Sequence, residues 1–186
     1  MDTLALPEAN QFYVVIGGAT AAGHLMALAA RLALRGPLLI LDCGNRANPL
    51  PLARELCRLT HDPVAALSKL GAKSARAFNC YQVATLIGNA ANRPTQCPVL
   101  IFDLLAAFYD ESVSYREGSR LLDQSLMHIA RIRRTAPVVV SAKPPPVEFP
   151  ERKAFLDVLC QAADQIWIDE NPPAQLPQQL SFPFGG

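Results

Sequence analysis

The chain has 186 residues, a formal net charge of +1 and a hydrophobic fraction of 51%. This length fits one medium-sized domain, and the apolar content excludes intrinsic disorder over most of the chain. The near-neutral charge excludes a global electrostatic field that would recruit nucleic acid or a membrane surface. Proline is enriched, with 16 residues or about 9% of the chain, against about 5% in average proteins.

The five cysteines show neither a C-x-x-C pair nor a Cys/His spacing that suits zinc, and their number is odd. This pattern favours reduced, mostly buried thiols and no metal. The N-terminal residues have no basic region followed by an apolar one, and no apolar stretch approaches the roughly 20 residues of a membrane span. We therefore expect a cytoplasmic protein without membrane contact.

Short apolar runs alternate with helical patterns along the chain. The first run, Phe12–Ile16, ends at two glycines, and a helical period of apolar residues begins at Gly23 and stops at Gly36. The predicted strands are residues 12–16, 38–41, 75–78, 99–102, 138–140 and 165–168. The predicted helices are residues 23–35, 50–59, 63–70, 81–91, 118–135 and 155–162.

Strands that alternate with helices in this way predict βαβ units and a mainly parallel sheet covered on both faces. The expected fold is therefore a three-layer α/β/α domain over residues 1–170. No extra N-terminal domain is expected, because the first strand already begins at Phe12. Residues 171–186 are rich in Pro and Gln without a period, and they are interpreted as a tail.

The glycine-bearing turn after the first strand stands where a phosphate-binding P-loop would lie. Gly18 and Gly23 keep the G-x-x-x-x-G spacing, with Thr20 between them. His24 and Leu25 replace the lysine that reaches the phosphates and the hydroxyl that holds Mg²⁺. Two interpretations stay open. The amides of residues 21–25 form a residual anion nest, or the turn binds nothing.

Acidic residues follow two apolar strands. Asp103 comes directly after the run VLIF, which is the pattern of a Walker B aspartate. Asp42 ends the second strand in a similar way and is interpreted as a helix-capping or loop aspartate. Lys143 follows the fifth strand. It either supplies a positive charge near a bound phosphate or is a solvated lysine before a proline loop, and the second interpretation is favoured.

Four segments in this order resemble the ATPase core of the RecA/RadA recombinase superfamily. They are GGATAAGHL (17–25), ARAFNCYQ (75–82), VLIFDLLAAFYDE (99–111) and VVVSAK (138–143). The resemblance covers about residues 12–170 and implies a RecA-like P-loop sheet with ATP as the possible ligand. The chain departs from the family at the P-loop lysine and hydroxyl, at Gly44 and Asn45 where an activating carboxylate is expected, and at Lys143 in place of glutamine.

The resemblance also points to two loops as the positions that face DNA. They are residues 110–118, which are net acidic, and residues 143–153, which carry Lys143, Arg152, Lys153 and the aromatic Phe149. Arg131, Arg133 and Arg134 form the strongest basic cluster, interpreted as cations that complement a helix end. DNA contact is therefore expected to be weak or indirect.

The tail ends in QLSFPF, which looks like the bacterial peptide that binds the sliding clamp. Gln179 would make polar contacts, while Leu180, Phe182 and Phe184 would fill apolar pockets. The alternative is that these apolar side chains pack on the chain's own domain.

The expected function is that of a catalytically inactive RecA/RadA-like accessory protein in DNA repair, recombination or damage tolerance. Its expected partners are proteins: a RecA-like paralogue, a repair polymerase or the sliding clamp. The alternative is a divergent P-loop ATPase that uses His24 and Lys143 in place of the usual lysine. A third possibility is a scaffold that binds ATP without hydrolysis.

Overall fold

Strands and helices alternate in the computed structural model, which describes residues 8, 10–45, 47, 49–68, 74–93 and 96–169. The strands are β1 (Phe12–Ile16), β2 (Leu39–Asp42), β3 (Ser74–Arg76), β4 (Val99–Phe102), β5 (Val138–Ala142) and β6 (Gln165–Ile168). The helices are α1 (Ala19–Arg35), α2 (Pro49–Leu59), α3 (Pro63–Ser68), α4 (Cys80–Ala91), α5 (Tyr115–Ile132) and α6 (Lys153–Ala162). The predicted tail, residues 171–186, lies outside the described residues.

The six strands form one parallel sheet in the order β3-β2-β4-β5-β1-β6. Strand β1 therefore lies between β5 and β6, and β5 separates it from β4. This order is neither of the two common doubly wound orders, 3-2-1-4-5-6 and 2-1-3-4-5. The expectation of a mainly parallel α/β sheet is confirmed.

Helices cover both faces of the sheet. The helices α1, α2 and α3 pack with Val15, Ile40 and Phe102 in one apolar core. The helices α4, α5 and α6 pack with Val14 and Ile101 in the other. Because successive strand residues point to opposite faces, neighbours such as Val14 and Val15 belong to different cores. The three-layer α/β/α arrangement is confirmed.

Several predicted boundaries are wrong, and a capping hydrogen bond explains one of the shifts. Helix α1 begins at Ala19 and not at Gly23. Helix α5 begins at Tyr115 and not at residue 118, because Ser114 caps it by accepting a hydrogen bond from the Glu117 N–H at 3.3 Å. Strand β3 ends at Arg76. Within the described part of the chain, no helix is both long enough and apolar enough to cross a bilayer.

The topology distinguishes two edges of the sheet. The carboxyl edge comprises the residues that end or follow the strands, such as Gly17, Asp42, Asp103, Lys143 and Asp169, and the amino edge lies at the strand beginnings. The chain leaves β1 and β2 toward one face and leaves β4 and β5 toward the other. Open α/β sheets bind ligands at the carboxyl edge where neighbouring strands lead to opposite faces, and this condition holds between β1 and β5 and between β2 and β4.

Candidate functional site

The carboxyl edge gathers charged side chains that the surrounding fold buries. Asp42, Asp103 and Asp169 are each at most 9% exposed. Each of them ends or directly follows a parallel strand, so the sheet brings them to one edge. Burying a carboxylate is costly unless it is paired. The partners of these three aspartates therefore determine whether the carboxyl edge can bind a ligand.

Asp103 is held by its backbone and by an ion pair with Lys143. Its φ of 53° lies in the left-handed region, which Asp tolerates better than most residues. The Asp103 N–H donates to Ser141 Oγ at 2.9 Å, and the Leu104 N–H donates to the Ser141 carbonyl at 3.0 Å. Lys143 Nζ lies 3.4 Å from Asp103 Oδ2. Lys143 is thus the ionic partner of a buried aspartate, while its own side chain stays 30% exposed.

Gly44 packs closely against the Asp103 side chain. A Cβ at position 44 would lie 2.4 Å from Asp103 Cβ and 2.9 Å from Asp103 Oδ2, closer than non-bonded atoms approach. Glycine at this position is thus explained by close packing. The activating carboxylate that the resemblance would place here has no room at position 44.

Asp42 is the last residue of β2, and its expected role as a loop or capping residue is wrong. Arg76 Nε donates to Asp42 Oδ2 at 3.0 Å. Between the two buried aspartates, the pKa of the Cys43 thiol is raised by burial first and by Asp42 and Asp103 second. Because the thiolate is the nucleophilic form, burial and the raised pKa of Cys43 disfavour reaction at this thiol.

The predicted phosphate loop is the start of a helix. Since α1 begins at Ala19 with Gly18 as its N-cap, the segment that includes Thr20 forms its first turn, and only the N–H groups of residues 18–21 lack partners within the helix. A Cβ at Gly18 or Gly23 would meet nothing within 4 Å. The expected nest of amides 21–25 is therefore reduced to its first member, the amide of residue 21, and internal packing does not require either glycine.

His24 contacts β6, which flanks β1 on the side opposite β5. Its ring meets Trp167 of β6 edge-on, with centroids 4.8 Å apart and an interplanar angle of 72°. Strands β5 and β6 flank β1, which puts them about 10 Å apart at the usual strand spacing. The structure thus brings Asp103 and Lys143 together but directs His24 to a different neighbour.

Asp169 belongs to this edge although the sequence did not single it out. Its N–H donates to the Ile16 carbonyl at 2.8 Å, and a Cβ on Gly17 would lie 2.9 Å from Asp169 Cβ. The signal that would have found it is the one used for Asp103, an acidic residue directly after an apolar strand.

The ARAFN-x-x-Q element has a structural explanation in this fold. Asn79 Oδ1 accepts a hydrogen bond from the Gln82 N–H at 2.9 Å, and Gln82 Oε1 accepts one from the Phe78 N–H at 2.8 Å. This reciprocal cap starts α4, and Arg76 pairs with Asp42. Phe78 was predicted to lie in a strand, but it lies outside β3 and is 74% exposed.

The two loops expected to face DNA contain fewer free cations than their sequences indicate. Arg152 is 5% exposed and donates to the carbonyls of Phe108 at 2.5 Å and Val113 at 2.7 Å. It therefore joins the two loops and is not available to a phosphate. Tyr109 OH donates to the Lys143 carbonyl at 2.9 Å, and burial raises the Tyr109 pKa.

The tail residues Gln179, Leu180, Phe182 and Phe184 lie outside the described residues. In the part of the chain that the structure describes, no group of three or more His, Cys, Asp or Glu side chains is placed to hold a metal ion. Comparison of the chain with protein-family models gives no match, and comparison with curated protein sequences gives none either.

Proposed function

We propose that this chain is a catalytically silent RecA/RadA-like accessory protein of DNA repair, recombination or damage tolerance, which acts through protein partners. The observation that carries the silent part of the proposal is the Asp103–Lys143 ion pair. In a P-loop NTPase, the aspartate at this position holds Mg²⁺, and a separate lysine cradles the phosphates. Here the corresponding carboxylate lies 3.4 Å from an ammonium group.

The surroundings of this pair support the same conclusion. The backbone of Gly44 fills the space beside Asp103 Oδ2, and the β1 turn leads directly into a helix at Ala19. Phosphoryl transfer depends on positioned cations and amides around the phosphates. A single lysine that neutralises an aspartate leaves little positive charge for a nucleotide.

The far edge of the sheet supports the role of protein partners. Ile166 and Ile168 of β6 pair in register with the buried Val14 and Ile16, yet they are 46% and 61% exposed. An edge strand with exposed apolar side chains is a common place for contact with another chain. The sliding clamp is one proposed partner, through residues 179–184. All five cysteines are free thiols, which fits a reducing cytoplasmic compartment.

Phosphate release during incubation with ATP and Mg²⁺ tests the silent part. We expect the wild-type chain and its His24→Ala variant to give the same background rate. Turnover that His24→Ala abolishes would overturn the proposal and favour the divergent ATPase.

Association with a purified bacterial sliding clamp tests the partner part. We expect deletion of residues 179–186 to abolish binding, while deletion of residues 171–178 leaves most of it. Equal binding by the wild-type chain and both deletion variants would contradict the assignment of the clamp peptide.

A further inference from the structure

The amino edge of the sheet carries a cleft that the proposed function does not use. It lies between the carboxyl ends of α4 and α5, has a volume of about 310 Å³ and is lined by Arg93, Arg131 and Arg134. All three arginines are exposed, and none of the described residues that line the cleft is acidic. We call this feature the arginine cleft.

The charge of the arginine cleft exceeds what the two helix ends require. A helix carboxyl end carries about half a negative charge, so two ends together carry about one. Arg131 and Arg134 alone supply two positive charges. The two helix ends therefore do not account for both of these charges, and Arg131 and Arg134, which line the cleft, can meet an anionic ligand.

The neighbouring Arg133, by contrast, forms an ion pair within the fold. Its Nη1 donates to both carboxylate oxygens of Asp164 at 2.9 Å, and Asp164 Oδ2 also accepts the Phe12 N–H at 2.8 Å. Of the three arginines in the basic cluster, Arg133 therefore connects the end of α5, through Asp164, to the start of β1. Arg131 and Arg134 line the cleft.

The lining also indicates which anion fits. Ala90, Ala91 and Ile132 provide the apolar part, and no aromatic ring is present among the described lining residues to stack on a base. Guanidinium groups match phosphate oxygens bidentately. We propose that the arginine cleft binds the phosphodiester backbone of a nucleic acid without reading its sequence. This inference does not rest on the silent-ATPase proposal.

Fluorescence anisotropy with a labelled oligodeoxynucleotide of mixed sequence, single-stranded or duplex, tests the inference. The test variant of the full chain combines Arg93→Gln, Arg131→Gln and Arg134→Gln. The matched control combines Arg35→Gln, Arg54→Gln and Arg58→Gln, which are exposed arginines elsewhere and give the same change in net charge. Far-UV circular dichroism verifies that both variants are folded.

We expect the cleft variant to bind at least about tenfold more weakly than the wild-type chain at low salt. The slope of log K against log salt should fall in magnitude by about 2 for a single strand, from three lost phosphate contacts. The control variant should bind within about twofold of the wild-type chain. No binding to either form of DNA, or equal loss in both variants, would overturn the proposal. Competition by polyglutamate as effective as that by unlabelled DNA would also overturn it and indicate an acidic protein surface as the ligand.

Discussion

The two edges of the sheet use their charges in opposite ways. At the carboxyl edge, Asp42 and Asp103 are buried and paired with Arg76 and Lys143. At the amino edge, three arginines in or just after α4 and α5 stay exposed around an open cleft. Parallel α/β sheets usually bind ligands at the carboxyl edge. In this chain, charged groups at the carboxyl edge form ion pairs within the fold, whereas the cleft at the amino edge is lined by exposed arginines.

If the carboxyl edge is closely packed, a substitution that adds atoms there should destabilise the chain more than any other substitution in this Discussion. We expect Gly44→Ala to lower the free energy of unfolding by about 3 kcal/mol, because its Cβ overlaps Asp103 and the backbone must move. Gly36→Ala, at a position where a Cβ meets nothing within 4 Å, should change it by less than about 0.5 kcal/mol. Urea denaturation measures the free energy of unfolding of both variants. Similar small losses in the two would show that the carboxyl edge is loosely packed.

Removing the Lys143 ammonium group from the carboxyl edge should have the next largest effect on stability. We expect Lys143→Met to destabilise the chain by about 2 kcal/mol, because the buried Asp103 carboxylate loses its ionic partner. The exposed Lys153 provides a control, and Lys153→Met should be near neutral. Adding Asp103→Asn to Lys143→Met should recover part of the loss in a double-mutant cycle. Strict additivity of the two substitutions would mean that the ion pair contributes nothing.

The Tyr109 hydroxyl provides a pH-dependent test of packing at the carboxyl edge. Tyr109→Phe removes a hydrogen bond to the Lys143 carbonyl and should cost about 1 kcal/mol at neutral pH. Burial raises the folded-state pKa of Tyr109 above its ordinary 10.0. The folded chain therefore keeps the phenol proton in a range where the unfolded chain loses it, and wild-type stability falls as pH rises above 10.

The phenylalanine variant has no phenol to ionise at this position. The stability difference between the two proteins should therefore shrink as pH rises above 10, which denaturation curves at neutral and alkaline pH would reveal. A difference that stays constant across this range would mean that the Tyr109 hydroxyl is solvated.

The smallest effect on stability is expected at the amino edge. Arg131→Gln and Arg134→Gln should each change the free energy of unfolding by less than about 0.5 kcal/mol, because both side chains are exposed. Thermal denaturation would detect a larger change. A loss above about 1 kcal/mol for either variant would mean that the arginine cleft is structural, as the carboxyl edge is.

The fold was largely predictable because apolar runs and helical periods report burial directly. The runs FYVVI, VLIF and QIWI were placed on strands with the bounds that the structure shows. Two of the missed helix starts, those of α4 and α5, depend on capping interactions. The Ser114–Glu117 cap was not recognised, and the cap formed by Asn79 and Gln82 stood inside a segment interpreted as part of a family motif.

The candidate sites were less predictable because they depend on which strands become neighbours. The sequence marked Asp103 and Lys143 separately, but only the adjacency of β4 and β5 reveals that they pair. Arg93 and Arg131 are 38 positions apart in the sequence, and no local pattern shows that α4 and α5 end side by side. Arg133 and Arg134 are adjacent in the sequence, yet only packing assigns one to Asp164 and the other to the cleft.

Calorimetric titration of the wild-type chain with ATP and Mg²⁺ tests most directly whether the carboxyl edge is closed to nucleotides. The Asp103–Lys143 pair and the helical start at Ala19 predict no saturable heat up to about 1 mM ATP, which corresponds to binding weaker than about −4 kcal/mol. Saturable micromolar binding that Lys143→Met or His24→Ala abolishes would contradict the account and show that this edge still holds a nucleotide.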